Sequence, residues 1–225
     1  MRRARRARGR LAPLLLLVAA AVLSALTTVH PADALDVIYI VRHAEKQARW
    51  PEQHDAHHPL SRAGEARAQA LAHRLAGVDR DAAERTAAVY ASATTRALAT
   101  GWPTAEALGI PLIADDRTVD SAHLPAFFDD LRRRHADDHA VLIVGHSNTV
   151  PLLLRHLGGA AGCDAKLGIA SRAAGQLRIQ GYDGLWRVTL TRDDAPPPGD
   201  DRAPDACSHI ERRSQTAGAA PGSAG

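Results

Sequence analysis

The sequence predicts an α/β fold, a mainly parallel central sheet with helices on both faces. Three observations predict it. Val37-Ile38-Tyr39-Ile40-Val41 is an unbroken apolar run in which four residues are β-branched, the pattern of a strand covered on both faces. Val141-Leu142-Ile143-Val144 is a second such run. Strand-like segments alternate with helical patterns along the chain, as in βαβ units.

The first 34 residues stand apart. Arg2, Arg3, Arg5, Arg6, Arg8 and Arg10 form a positive stretch, Leu11 to Leu26 an apolar run, and Ala32-Asp33-Ala34 a small-residue cleavage site. This is the grammar of a signal peptide cut after Ala34, and the run is short and Ala-rich for a spanning helix, which needs about 20 apolar residues. The expectation is a periplasmic or secreted protein with no stable membrane span after cleavage, the alternative being that residues 11–26 stay as an uncleaved anchor. The formal charge of the whole chain is +3. Residues 1–34 hold six Arg and one Asp, so the remainder carries about −2 and shows no basic footprint for nucleic acid. In an oxidising compartment Cys163 and Cys207 could pair, closing a loop worth about 3–4 kcal/mol, or remain as two thiols.

From residue 35 to 192 the chain reads as one domain. Val37–Val41 is its first strand, followed by a polar loop from Gln47 to Pro59. That loop holds His54, Asp55, His57 and His58, residue types that suit a metal, but without strand or helix support it reads as a solvated rim. Ser61 is a plausible N-cap for a helix from Arg62 to Ala76 that buries Ala63, Ala66, Ala70, Leu71 and Leu75 and stops at Gly77. Val89–Ala91 is a short strand, and Thr94–Leu108 a helix that Pro103 should kink or divide. Ile110–Ala114 is another strand. Leu124, Phe127, Phe128 and Leu131 fall at helical spacing within Ser121–Ala136, so the two Phe read as core. After the strand 141–144, Thr149–Leu157 is a helix with Pro151 in its first turn. Gln176–Gln180 and Trp186–Thr191, with Tyr182-Asp183-Gly184 between them, read as an edge hairpin. From Asp193 the chain is Pro, Gly, Ala and charge, a disordered tail from 193 to 225 by composition.

The chemistry gathers at strand ends. Arg42-His43 follows the first strand directly, and Gly145-His146-Ser147 follows the strand 141–144. Tyr90-Ala91-Ser92 leads through a turn to Arg96 at the start of a helix. In open α/β sheets the carboxyl ends of strands are where ligands bind, so two Arg and two His can converge on one anion site. Arg134-His135 and Arg155-His156 fall inside helices and read as solvated pairs. The order Arg42-His43-Ala44-Glu45, Tyr90-Ala91-Ser92 through Arg96, and Gly145-His146-Ser147, with Pro59-Leu60-Ser61-x-x-Gly64 ahead of a helix, resembles the histidine phosphatase superfamily, the phosphoglycerate-mutase-like fold, over about residues 36–160. It looks like a short exported bacterial member.

The resemblance implies a three-layer α/β/α sandwich and a phosphatase that works through a phosphohistidine on His43, acting on a phosphate monoester or a phosphohistidine. Arg42 and Arg96 would offer bidentate donors to phosphoryl oxygens, and His146 would donate to another, best as imidazolium. A backbone carbonyl would fix the His43 tautomer, and backbone N–H groups after His43 and His146 would face the anion. Ser92 and Asn148 are further substrate-binding candidates. One large branch of the family has an Asp after the second pocket His. Here that position is Ser147, so the acid for the leaving group is sought in the loop carrying Asp115, Asp116 and Asp120, with Asp120 favoured. Glu45 reads as orienting the turn.

No cofactor or metal is needed for this chemistry. The expected partner is a small phosphorylated substrate, such as a sugar phosphate or an envelope headgroup, or a phosphoprotein. A mutase is disfavoured, because export is wrong for glycolysis and the chain lacks that branch's capping insertions. The alternative is a non-catalytic phosphoanion-binding module of the same fold, against which the retained His43 argues. A His-rich metal-binding protein is a third class. A serine hydrolase is excluded by the lack of a G-x-S-x-G elbow.

Overall fold

A computed structural model describes residues 35–48, 54–77, 86–190 and 207–215. The expected signal peptide lies outside the described residues. Its central sheet has six strands in the order β3-β2-β4-β1-β7-β8. These are β1 (Val37–Arg42), β2 (Thr86–Ala91), β3 (Leu112–Ala114), β4 (Ala140–Gly145), β7 (Gly184–Thr189) and β8 (Ile210–Ser214). The first four are mutually parallel, whereas β7 runs antiparallel to β1 and β8 antiparallel to β7. The expected mainly parallel sheet is present, extended at one edge by two antiparallel strands.

The apolar runs form central strands because both faces are covered. Ile38, Ile40, Tyr90, Val141 and Ile143 pack with Phe127, Phe128 and Leu131 of α3 (Leu124–Arg134) and Leu153 and Leu154 of α4 (Val150–His156). On the other face Val37, Tyr39, Val41, Val89, Leu142 and Val144 pack with Leu71 of α1 (Arg62–Gly77) and Ala97 and Ala105 of α2 (Thr95–Leu108). Each such Val, Leu, Ile or Phe side chain taken from water contributes roughly 1.5–3 kcal/mol. Phe127 and Phe128 are core, as their spacing predicts.

Several expectations are corrected. In α1 the buried residues are Gly64, Ala68, Leu71 and Ala72, while Ala63 and Ala66 are exposed; an Ala-rich helix has little contrast between faces from which to read its phase. Pro103 does not divide α2, which runs unbroken from Thr95 to Leu108. His135 is buried and hydrogen-bonded through Nε2 to the Tyr90 hydroxyl at 2.8 Å, and His156 stacks on Phe128 at 4.8 Å, so neither helical Arg-His pair is simply solvated. The edge hairpin does not form. β6 (Leu177–Ile179) pairs with β5 (Ile169–Ser171) in a separate two-stranded ribbon, and β7 inserts beside β1. Leu185, Trp186 and Val188 of β7 gain a buried position there that the three-residue β6 could not give them. The tail is not uniformly disordered either. Ile210 is buried, β8 completes a ladder on β7, and Cys207 is bonded to Cys163. A covalent link and a ladder supply the order that composition does not advertise. The short helix α5 (Asp164–Leu167) follows Cys163 directly.

Candidate active site

Register brings the site together. In the β1–β4 pair Arg42 lies level with Gly145, and in the β2–β4 pair Ala91 lies level with Val144. The residues that leave these strands, His43, His146 and Ser92, therefore emerge at one carboxyl edge. Ala91 is also level with Ala114, so the loop from Asp115 starts at the same edge. β7 arrives antiparallel with Leu185 opposite Val41, which puts the segment before Gly184 there too.

Four of the predicted residues meet. The His43 and His146 rings are 5.0 Å apart, and Arg96 reaches both. Its Nε donates to His43 Nε2 at 3.2 Å and its Nη2 to His146 Nδ1 at 3.4 Å. A guanidinium only donates, so both of those ring nitrogens present lone pairs. The opposite nitrogens then carry the protons. His43 Nδ1 donates to the Ala44 carbonyl at 2.7 Å, the backbone partner expected from the sequence, and His146 Nε2 donates to Ser92 Oγ at 2.7 Å. Both rings are buried. Burial, with repulsion from the other pocket cations, pushes His43 down to about 3; burial and then Arg96 push His146 down to about 4. Both are neutral at pH 7, so the imidazolium expected of His146 is not its resting state.

Arg42 is held by stacking. Its guanidinium lies 3.9 Å from the Tyr182 ring centroid, and Nη1 donates to the Gly181 carbonyl at 2.8 Å. Its buried Nε makes no hydrogen bond, which leaves a donor for an anion. The turn after His43 is fixed from three sides. Ala44 N–H donates to Thr100 Oγ1 at 2.9 Å, Glu45 receives a fork of bonds from Arg67, and Gly64 packs on the Glu45 backbone. A Cβ on Gly64 would lie 2.2 Å from the Glu45 oxygen, so Pro59-Leu60-Ser61-x-x-Gly64 is the seat of this turn. Ser61 caps α1 through its hydroxyl and the Gly64 N–H, at 3.2 Å. Glu45 orients the turn as expected, its carboxyl lowered chiefly by the Arg67 hydrogen bonds.

The backbone donors are otherwise engaged. His43 N–H donates to the Gly145 carbonyl at 2.8 Å and His146 N–H to Thr149 Oγ1 at 2.8 Å. Of the donors expected to face an anion, Ala44 N–H, the first after His43, is spent on Thr100 Oγ1.

The structure also adds a residue and moves another away. Asp55, expected on a solvated rim, turns into the site. It accepts from Arg96 through its carbonyl at 2.6 Å and its carboxylate at 3.0 Å, and Lys46 Nζ lies 2.6 Å from the other carboxylate oxygen. Two cations at the pocket edge draw it in, and the Lys46 hydrogen bond, with Arg96 behind it, holds it well below the usual carboxylate range. Its position in a loop of undefined reach gave the sequence no sign of this. Asp120, the favoured acid, is half exposed and serves the start of α3 instead, accepting from Ala122 N–H at 3.0 Å and bonding His123 Nδ1 at 2.8 Å. Asp115 is committed to Arg117. Asp116 accepts from Ala93 N–H at 2.8 Å, and its charge acts on His146. Asn148 is exposed, with no hydrogen bond to the pocket residues.

This is a cationic pocket with a neutral imidazole at its centre, an arrangement suited to positioning a phosphoryl group. Residues 38–125 match the model of the histidine phosphatase superfamily (branch 1). The matched segment holds Arg42, His43, Ser92 and Arg96; His146 lies beyond it and is supplied by β4. The fold is similar to that of SixA from Agrobacterium tumefaciens, described as a phosphohistidine phosphatase, at 23% identity over 69% of this chain and 92% of that one, TM-score 0.52. It is similar to the protein histidine phosphatase SixA in complex with tungstate at 19% identity, over 68% and 88% of the two chains, TM-score 0.50. It is also similar to mycobacterial glucosyl-3-phosphoglycerate phosphatase in complex with VO3 at 16% identity, over 80% and 97%, TM-score 0.51. No curated protein sequence matches the chain.

Proposed function

We propose that this chain is a phosphatase that passes the phosphoryl group of a small phosphorylated substrate, a phosphate monoester or a phosphohistidine, to His43 Nε2 and then to water. The observation that carries the reading is the His43 tautomer. Nδ1–H is spent on the Ala44 carbonyl, and the Nε2 lone pair faces into the pocket against a guanidinium. The Nε2–P bond forms as the bond from phosphorus to the leaving atom breaks. Arg42 and Arg96 compensate the equatorial oxygens, and His146, once a dianion sits beside it, gains a reason to take a proton. Water then attacks phosphorus, the P–N bond breaks and phosphate leaves. Asp116 is the carboxylate suited to give a proton to an alkoxide leaving group and to take one from the water. A phosphohistidine needs less help, because its leaving group is already an imidazole.

Guanidinium groups fill the part that a metal plays elsewhere, which supports metal-independent turnover. Substrates named for the structurally similar proteins, a protein histidine and glucosyl-3-phosphoglycerate, fall within the proposed class. The reading of residues 1–34 supports a periplasmic or secreted location, as does a disulfide in a two-cysteine chain. Among the described residues no helix is long and apolar enough to cross a membrane.

The test is phosphate release by residues 35–225 from an aryl phosphate and a phosphohistidine peptide, with and without chelator, beside His43→Ala. Chelator-insensitive turnover and an acid-labile phosphoenzyme, both lost in His43→Ala, are expected. Activity that survives His43→Ala overturns the assignment of the nucleophile. Asp116→Asn should slow an alkyl phosphate by about 10²-fold and the aryl phosphate and phosphohistidine far less, and Asp120→Asn should do neither.

A further inference from the structure

The pocket has a third guanidinium that phosphoryl transfer does not use. Arg178 lies on β6, and that strand is stapled to the site at two points. Ile179 N–H donates to the Ser147 carbonyl at 2.7 Å, and the Gly181 carbonyl receives Arg42 at 2.8 Å. Next to the first of these staples the Arg178 side chain reaches the turn after His146, where Nη1 donates to Ser147 Oγ at 3.2 Å. Among the described residues no carboxylate pairs with Arg178, although Arg67, Arg96, Arg117 and Arg155 each have one. Its charge is felt at Arg42, which burial lowers first and which Arg178 and Arg96 lower further by repulsion.

A half-buried guanidinium that has no carboxylate partner and lies near Arg42 is costly unless an anion answers it. The phosphoryl group already has Arg42 and Arg96. Ser147 holds the Arg178 side chain by a neutral hydroxyl and leaves its charge uncompensated. We propose that Arg178 is a specificity-determining residue that binds a second anionic group of the substrate, a carboxylate or another phosphate a few bonds from the scissile phosphoryl group, and that Ser147 positions it. The preferred substrates are then doubly anionic phosphate esters. The inference rests on the phosphatase reading for its chemistry, but not for its binding.

A matched pair of probes tests it, 3-phosphoglycerate against glycerol 3-phosphate, which differ by one carboxylate. A charge-assisted contact of this kind is worth about tenfold or more. The wild type should prefer the carboxylate compound by at least about tenfold in kcat/KM, mostly through KM. Arg178→Gln should bring the ratio toward one, Arg178→Lys should keep part of it, and Ser147→Ala should lower it less than Arg178→Gln. The same pair is titrated by calorimetry into His43→Ala, with and without Arg178→Gln. Tighter binding of the carboxylate compound that depends on Arg178 supports the proposal even if no turnover is seen, in which case the catalytic reading alone has failed. Equal binding of the two compounds, or a preference that survives Arg178→Gln, overturns it.

Discussion

At the scale of single residues, the site is governed by which nitrogen holds a proton. Burial keeps both pocket imidazoles neutral, His43 at about 3 and His146 at about 4, against about 6.5 in an unfolded chain. Below pH 6.5 the unfolded chain therefore binds protons that the folded one refuses, and stability rises with pH across the window from about 3–4 to 6.5. The contribution is complete above 6.5 and is lost as the pH falls. Urea midpoints taken at pH 7 and pH 5 should show this loss, and His43→Gln should make the difference smaller. Asp55 sets a second expectation. Its carboxylate is bonded to Arg96, so an incoming phosphoryl group must compete with it. Asp55→Asn should lower the Kd for inorganic phosphate severalfold, the scale of a partly exposed ion pair of about 1 kcal/mol or less; weaker binding would mean that Asp55 organises Arg96 rather than blocking it. Arg42, His43, Arg96 and His146 were legible because each follows a strand or opens a helix. Asp55, Tyr182 and Arg178 were not, because each stands in the site through a loop or a ribbon whose path no local pattern encodes.

At the scale of elements, the turn from Ala44 to Lys46 depends on α1 approaching it without a side chain. Gly64 allows the helix to rest on the Glu45 backbone. Gly64→Ala must push the two apart and should cost about 1–3 kcal/mol. Because the same turn aims His43, activity should fall more than stability explains. Thermal unfolding together with kcat checks this, and an unchanged kcat would separate the seat of the turn from the aim of the nucleophile. The central strands could be read from apolar runs because burial on both faces leaves no other composition open to them. The phase of α1 could not, since alanine on every side gives helical periodicity nothing to work on. The edge hairpin failed for a different reason. Two short alternating segments around a turn satisfy the local rule, yet β7 pairs with β1 and buries Leu185, Trp186 and Val188 there.

At the scale of the whole molecule, the bond between Cys163 and Cys207 joins the region of α5 to the residues just before β8, across a sequence separation of 44. Closing a loop of this size should stabilise the fold by about 3–4 kcal/mol. A Cys163→Ser, Cys207→Ser double variant should lose stability of that order in urea without losing the His43-dependent phosphoenzyme; loss of both would tie the ribbon of β5 and β6 to the same cross-link. Composition alone assigned these last residues to disorder, because it weighs side chains and is blind to a ladder that one covalent bond makes worthwhile.

β8 has a consequence for anyone shortening the chain. It is a brief, charged strand, Ile210-Glu211-Arg212-Arg213-Ser214, laid along the open side of β7. Cutting the chain where its composition turns polar would remove it and leave Gly184-Leu185-Trp186-Arg187-Val188-Thr189 as a bare rim of unpaired amides, apolar at alternate positions. Such a rim is a template for a second copy of itself. The trimmed protein would be expected to gather into oligomers and precipitates, because β8 is what covers that rim.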